Sequence, residues 1–177
     1  EVVFMCAIAG ILRLRAAEPE DPGKIIDSMR RRGPDGEGSY RSDGRGENGP
    51  SVTLYHTRLA VIDPAAGQQP MLYPLHNPRY AIVYNGELYN TDSVRQRLIS
   101  LGHQFLTRTD TEVVLHSFIQ WGEGCLELFN GIFAFAVWDN LKKVLFIARD
   151  RMGVKPFFYR WEGGNFLFAS ELKTLLA

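Results

Sequence analysis

Apolar residues recur along the chain at two spacings, and the change between them separates strands from helices. Ile8 to Leu14 is rich in aliphatics and predicts a buried strand. Val52 to Leu59 alternates and predicts a second. Tyr80 to Tyr84 predicts a third, ending on Asn85-Gly86, the strongest short hairpin signal. Between the first two, Lys24 to Arg31 carries Ile25, Ile26 and Met29 at helical spacing, and Gly33-Pro34 stops it. Thr91 is placed to cap a helix running to Leu101, with Gly102 just past its end. Thr109-Asp110-Thr111-Glu112 has capping-box spacing ahead of an apolar helix from Val113 to Trp121.

The last third changes character. Gly131 to Trp138, Lys143 to Ala148, Pro156 to Tyr159 and Phe166 to Ala169 read as strands joined by tight polar turns, and a short helix from Glu171 closes the chain. Ile132 to Val137 is apolar at both alternations, which predicts a strand covered on both faces. Strands grouped at the two ends with helices between them give an α+β layered domain. Two packed sheets enclosed by helices satisfy the pattern, although periodicity alone does not establish that stack.

Composition narrows the function classes. The chain has 177 residues, enough for one domain with a self-sufficient core. Its 20 lysines and arginines balance 20 aspartates and glutamates, so no electrostatic argument favours nucleic acid or an anionic membrane. Arg30, Arg31 and Arg32 read as a solvated helix end. Two cysteines, Cys6 and Cys125, are too few for a disulfide framework and suggest a reducing, cytoplasmic setting. The apolar stretch from Val2 to Leu12 lacks the basic lead of a signal peptide. His56, His76, His103 and His116 show no ligand spacing with one another or with cysteine, so no metal is expected. Glu18, Glu20 and Asp21 lie in a polar loop without pocket context. Read alone, Cys6 and Cys125 are both explained as small buried residues.

The motifs change that reading of Cys6. Met5-Cys6-Ala7-Ile8-Ala9-Gly10 resembles the opening of the class II glutamine amidotransferases, which are N-terminal-nucleophile hydrolases. The resemblance continues through RRGPDGEG at 31–38, HTRLAVID at 56–63, GQQPM at 67–71, YNGELYN at 84–90, TRTDTEVV at 107–114, LFNGIFAFAVWD at 128–139, ARDRMGVKPFFY at 148–159 and FASELKTLL at 168–176. The ordered set spans nearly the whole chain and is most similar to the glutaminase domain of the glutamine-hydrolysing asparagine synthetases. It implies a four-layer αββα sandwich of two mainly antiparallel sheets flanked by helices.

The resemblance also implies roles. Cys6 attacks the side-chain amide of L-glutamine, and its own α-amine is the base, so no histidine is required. A free α-amine titrates at about 7.7–8.0 and exchanges protons readily near neutrality. The Asn85 side-chain amide and the Gly86 N–H are the implied oxyanion donors. Arg58 is implied to hold the substrate's α-carboxylate, since a planar guanidinium can bind one with two parallel bonds. Glu87 and Asp110 are implied to hold the α-ammonium, although a carboxylate at a helix start is favoured there in any case. Arg149, Asp150 and Arg151 read as a structural strand-end cluster. The implied partner is a synthetase domain of the same, longer chain. ATP and magnesium belong to that domain, no cofactor is expected in this one, and a homodimer is compatible with the pattern. A different ammonia acceptor, or a non-catalytic interaction module of the same fold, stand as alternatives.

Two departures from the family pattern bear on activity. Ala7 stands where glycine is usual after the nucleophile. Residues 1–5 precede a domain of residues 6–177, and while they remain the Cys6 nitrogen is a non-basic amide. Met5 as a start residue later removed, a propeptide, and an unprocessed inactive chain each account for them.

Overall fold

The computed structural model describes residues 5–14, 21–42, 49–59 and 67–177. Among them, nine strands form two antiparallel sheets. β1 (Ala7–Arg13), β2 (Gly36–Arg41), β3 (Ser51–Arg58), β8 (Phe158–Glu162) and β9 (Asn165–Ala169) make one, in the order β2-β3-β1-β9-β8. β4 (Met71–Tyr73), β5 (Tyr80–Leu88), β6 (Gly131–Asp139) and β7 (Val144–Arg149) make the other, in chain order. α1 (Pro22–Met29) covers the outer face of the first sheet, and α2 (Thr91–Ser100) with α3 (Asp110–Trp121) covers the outer face of the second.

Strand alternation builds the layers, because successive side chains point to opposite faces. In β6, Phe133, Phe135 and Val137 pack beneath Val94, Leu98, Val113 and Val114 of the helices. Ala134, Ala136 and Trp138 of the same strand turn inward against Ile8, Val52, Leu54 and Phe168 of the other sheet. In β1, Ala7, Ala9 and Ile11 face Ile25, Ile26 and Met29 of α1. Both central strands are therefore covered on both faces, as the apolar run in β6 predicts, and the whole is a four-layer αββα stack. Leu175, in the 3₁₀ turn Leu172–Leu176 that ends the chain, completes the α1 layer.

The Asn85-Gly86 pair does not turn the chain. β5 runs straight through it, with Asn85 opposite Ala134, Gly86 opposite Phe133 and Leu88 opposite Gly131. Pairing with β6 along its whole length overrides the local hairpin preference. Gly86 is needed there for closeness: a Cβ would stand 2.6 Å from the Ile132 carbonyl oxygen. The cap of α2 is Asn90, with Thr91 the first helical residue. Asn90 bonds across to the Leu128 carbonyl at 2.8 Å and the Asn130 N–H at 3.0 Å. The capping box of α3 forms by half. Thr109 accepts from Glu112 N at 3.4 Å, while the Glu112 carboxylate turns away to the N–H groups of Leu106 and Thr107. β2 and β4 escape the periodicity because both are edge strands: β2 is glycine-rich and polar, and β4 has only three residues. Glu18 and Glu20 lie outside the described residues.

Candidate active site

A cavity of about 310 Å³ opens where the ends of β1, β3 and β5 meet the start of α3. Cys6, Arg58, Asn85, Gly86, Glu87 and Asp110 all line it. The topology accounts for this convergence of residues up to 104 positions apart: Cys6 precedes central strand β1, Ala7 pairs with Thr57, and Arg58 therefore ends the adjacent strand beside the thiol.

The half-buried Cys6 thiol is held by the Leu59 backbone, with Leu59 N–H donating to Sγ at 3.3 Å. Burial raises its pKa; the Leu59 bond and the charges of Arg58 and Lys155 pull in the other direction without reversing the shift. A thiol in that state keeps its proton at neutrality and needs a base. The nearest histidine in sequence terms, His56, is buried behind the site, its pKa driven down to about 3 by burial and by Arg58. No histidine lines the cavity among the described residues.

The opposite wall belongs to β5. Asn85 is 2% exposed, yet its Nδ2 has no hydrogen-bond partner among the described residues. Buried amide donors are rarely left unmatched, and a ligand oxygen in the cavity is the kind of group that would match this one. The strand beneath it is held rigidly. Gln69 Oε1 accepts from Tyr84 N at 2.6 Å, and Gln69 Nε2 donates to the Tyr84 carbonyl at 3.1 Å and to Thr111 Oγ1 at 3.2 Å. One side chain thereby continues the strand pairing that β4 begins.

Charges of both signs complete the lining. Arg58 reaches in beside Gly67, where a Cβ would stand 2.5 Å from its Nη2. Asp110 does not serve as the cap of α3: its Oδ2 accepts from Tyr84 Oη at 3.0 Å and from Leu88 N at 3.3 Å, tying the helix start to β5. Burial raises the Asp110 pKa against those bonds. A cation facing two carboxylates across a cavity of this size complements a small zwitterion.

Several lining or supporting residues escape a reading of the sequence. Gln69 lies inside GQQPM and Lys155 inside the 148–159 motif, but neither residue type announces a role there. Arg32 is not a freely solvated helix end, because its Nε donates to the Cys6 carbonyl at 3.3 Å. The histidines also differ from expectation: His103 Nδ1 and His116 Nδ1 meet at 2.8 Å, brought together by the packing of the α2–α3 turn on α3. Cys125 is fully buried, with its pKa pushed up to about 12 by burial, as a core thiol should be. Among the described residues no group of three or more histidine, cysteine or acidic side chains is placed to hold a metal ion, and no helix is long and apolar enough to cross a membrane.

Comparison with known proteins identifies the family and supports the fold. The sequence profile of the glutamine amidotransferase domain matches residues 5–177. Asparagine synthetase [glutamine-hydrolyzing] 3 of Bacillus subtilis is 47% identical over 98% of this chain, which spans 28% of that relative's length. A putative asparagine synthetase [glutamine-hydrolyzing] 2 of Methanocaldococcus jannaschii is 37% identical over 98% of the chain and 35% of its own length. Among solved structures, the glutamine phosphoribosylpyrophosphate amidotransferase of B. subtilis complexed with ADP and GMP superposes with a TM-score of 0.75. That match, at 24% identity over 96% of this chain and 43% of the other, speaks for the fold alone.

Proposed function

Because the chain belongs to the glutamine amidotransferase domain family, we propose that this cavity hydrolyses L-glutamine with Cys6 as nucleophile, once Cys6 is the first residue. The sulfur bonds to the amide carbon as the Cys6 α-amine takes the thiol proton. The C–N bond then breaks, ammonia leaves with that proton, and water cleaves the γ-glutamyl thioester to glutamate. Asn85 Nδ2 and Gly86 N–H hold the oxyanion, Arg58 the α-carboxylate, and Glu87 with Asp110 the α-ammonium. The observation that carries this reading is the unpartnered, buried Asn85 amide in the same cavity as the thiol.

The longer relatives are named as glutamine-hydrolysing asparagine synthetases, one of them putative, which supports ammonia delivery to a synthetase domain of the same longer chain; ATP and magnesium would belong to that domain. The reaction requires Met5 to be gone, since a peptide nitrogen cannot serve as the base. Intact-mass measurement and N-terminal sequencing of the active protein should find Cys6 first. Such protein should release glutamate from glutamine, and Cys6→Ala should not; persistent turnover in that variant would rule the reading out.

A further inference from the structure

Two cations flank the backbone of Cys6, one on each side of its Cα. Arg32 holds the Cys6 carbonyl, and its Nη2 is buried with no partner among the described residues. Lys155 is 7% exposed, and its Nζ lies 3.2 Å from Met5 Sδ, on the residue whose loss creates the new terminus. It makes no ion pair among the described residues, although burial costs an ammonium dearly without one. Burial and the neighbouring Arg32 lower its pKa, while Cys6, Glu87 and Asp150 act in the opposite sense. A side chain so placed is hard to explain by stability.

The site has a matching need. A free α-amine titrating at about 7.7–8.0 is mostly ammonium at pH 7, and an ammonium cannot take the thiol proton. We propose that Lys155 is a positioning residue for the base of the reaction: its ammonium, backed by Arg32, disfavours a second positive charge on the Cys6 α-amine and keeps that amine unprotonated near neutrality. The inference rests on the glutaminase reading above, because only there does the amine act as base.

The other charged groups around the terminus fit this division of labour. On the β7–β8 connection, the Asp150 carboxylate is committed to the N–H groups of Phe133, Val154 and Lys155. Arg58, at the end of β3, adds to the positive field felt by the Cys6 thiol. Glu87 of β5 and Asp110 of α3 oppose it from the far wall. Those two carboxylates are the ones assigned to the substrate's ammonium.

The test uses the chain beginning at Cys6 and follows kcat/KM for glutamine against pH, whose acid limb reports the base of the free enzyme. Lys155→Met should move that limb upward by about one pH unit, with the alkaline plateau kept, because a like charge has been removed. Lys155→Arg should leave the limb where the unsubstituted protein has it. An unmoved limb in a folded Lys155→Met protein overturns the proposal. Should that variant not fold, an NMR titration of ¹⁵N-labelled Cys6 in the unsubstituted protein decides the matter. A midpoint below about 7.7 supports the proposal, and one at or above that value overturns it. Failure of the unsubstituted, processed protein to hydrolyse glutamine would instead bring down the reading of function, so the two failures are distinct.

Discussion

Ala134 of β6 has Asn85 on one side and Arg149 on the other, and the two flanks treat their polar groups in opposite ways. On the β7 side, Arg149 and Asp150 are both fully engaged. Arg149 donates to the carbonyls of Lys155 and Gly153, both at 2.6 Å. Asp150 accepts from three backbone N–H groups, and although burial pushes its pKa up, those donors outweigh it and hold the carboxyl below its ordinary value. On the β5 side the Asn85 amide is equally enclosed and has no partner, while Glu87 projects into the cavity. Resemblance assigns Arg149, Asp150 and Arg151 to structure and Asn85 with Glu87 to the site, but charge content alone does not explain that division. Hydrogen-bond satisfaction does: Arg149 and Asp150 are matched on one flank, while the other keeps the buried Asn85 amide unmatched at the cavity wall.

The comparison can be broken by substitutions that should divide activity from stability. Cys6→Ala should abolish glutamate release while leaving the melting temperature nearly unchanged. Asn85→Ala should lower kcat by roughly 10²–10³-fold, the usual cost of one lost oxyanion donor. Its stability should hold or rise, because a buried unmatched amide is removed. A fall of several degrees in melting temperature with kcat intact would show that Asn85 belongs with the structural flank. Asp150→Ala should do the reverse, costing roughly 3 kcal/mol in denaturant unfolding by stranding three N–H groups, with activity per folded molecule less affected. Acid should mimic that loss: a depressed carboxyl contributes stability above its unfolded pKa, and the contribution disappears as pH falls through the folded value.

Gln69→Leu sharpens the boundary between the flanks, since Gln69 holds the strand that carries Asn85 without being assigned to substrate. It should cost about 1–3 kcal/mol and lower kcat more than it raises KM. The last effect is a slope, small at any one pH step. His56 titrates near 6.5 unfolded but only at about 3 when folded, so it must gain a proton on unfolding below pH 6.5. It should contribute a loss of about 1.4 kcal/mol per pH unit as pH falls from 6.5 towards 3, and His56→Phe should flatten that slope in unfolding curves.

Much of the fold is legible because buried elements declare themselves by period. The apolar run of β6, the helical spacing of Ile25, Ile26 and Met29, and the apolar face of α3 all stand where patterning places them. The edge strands β2 and β4 do not, since an edge strand with few apolar side chains carries little periodic signal. Asn85-Gly86 misleads for a different reason: its local preference for a turn is real, but nine residues of pairing with β6 outweigh it.

The candidate site divides along the same line. Cys6, Arg58, Asn85, Gly86, Glu87 and Asp110 are readable from ordered motifs because their identities are tied to a chemistry, and the structure brings all six to one cavity. Gln69, Arg32 and Lys155 are different. A glutamine, an arginine after a helix and a lysine before a proline carry no message by type, and each is marked out only by the neighbours the fold gives it: Tyr84 for Gln69, the Cys6 carbonyl for Arg32 and Met5 for Lys155. Residue identity and spacing therefore determined the family, and through that resemblance the expected layers and the candidate site residues. Only the tertiary structure decided which polar groups are matched and which wait unmatched beside the thiol, because satisfaction and electrostatic coupling depend on distances between residues far apart in the chain.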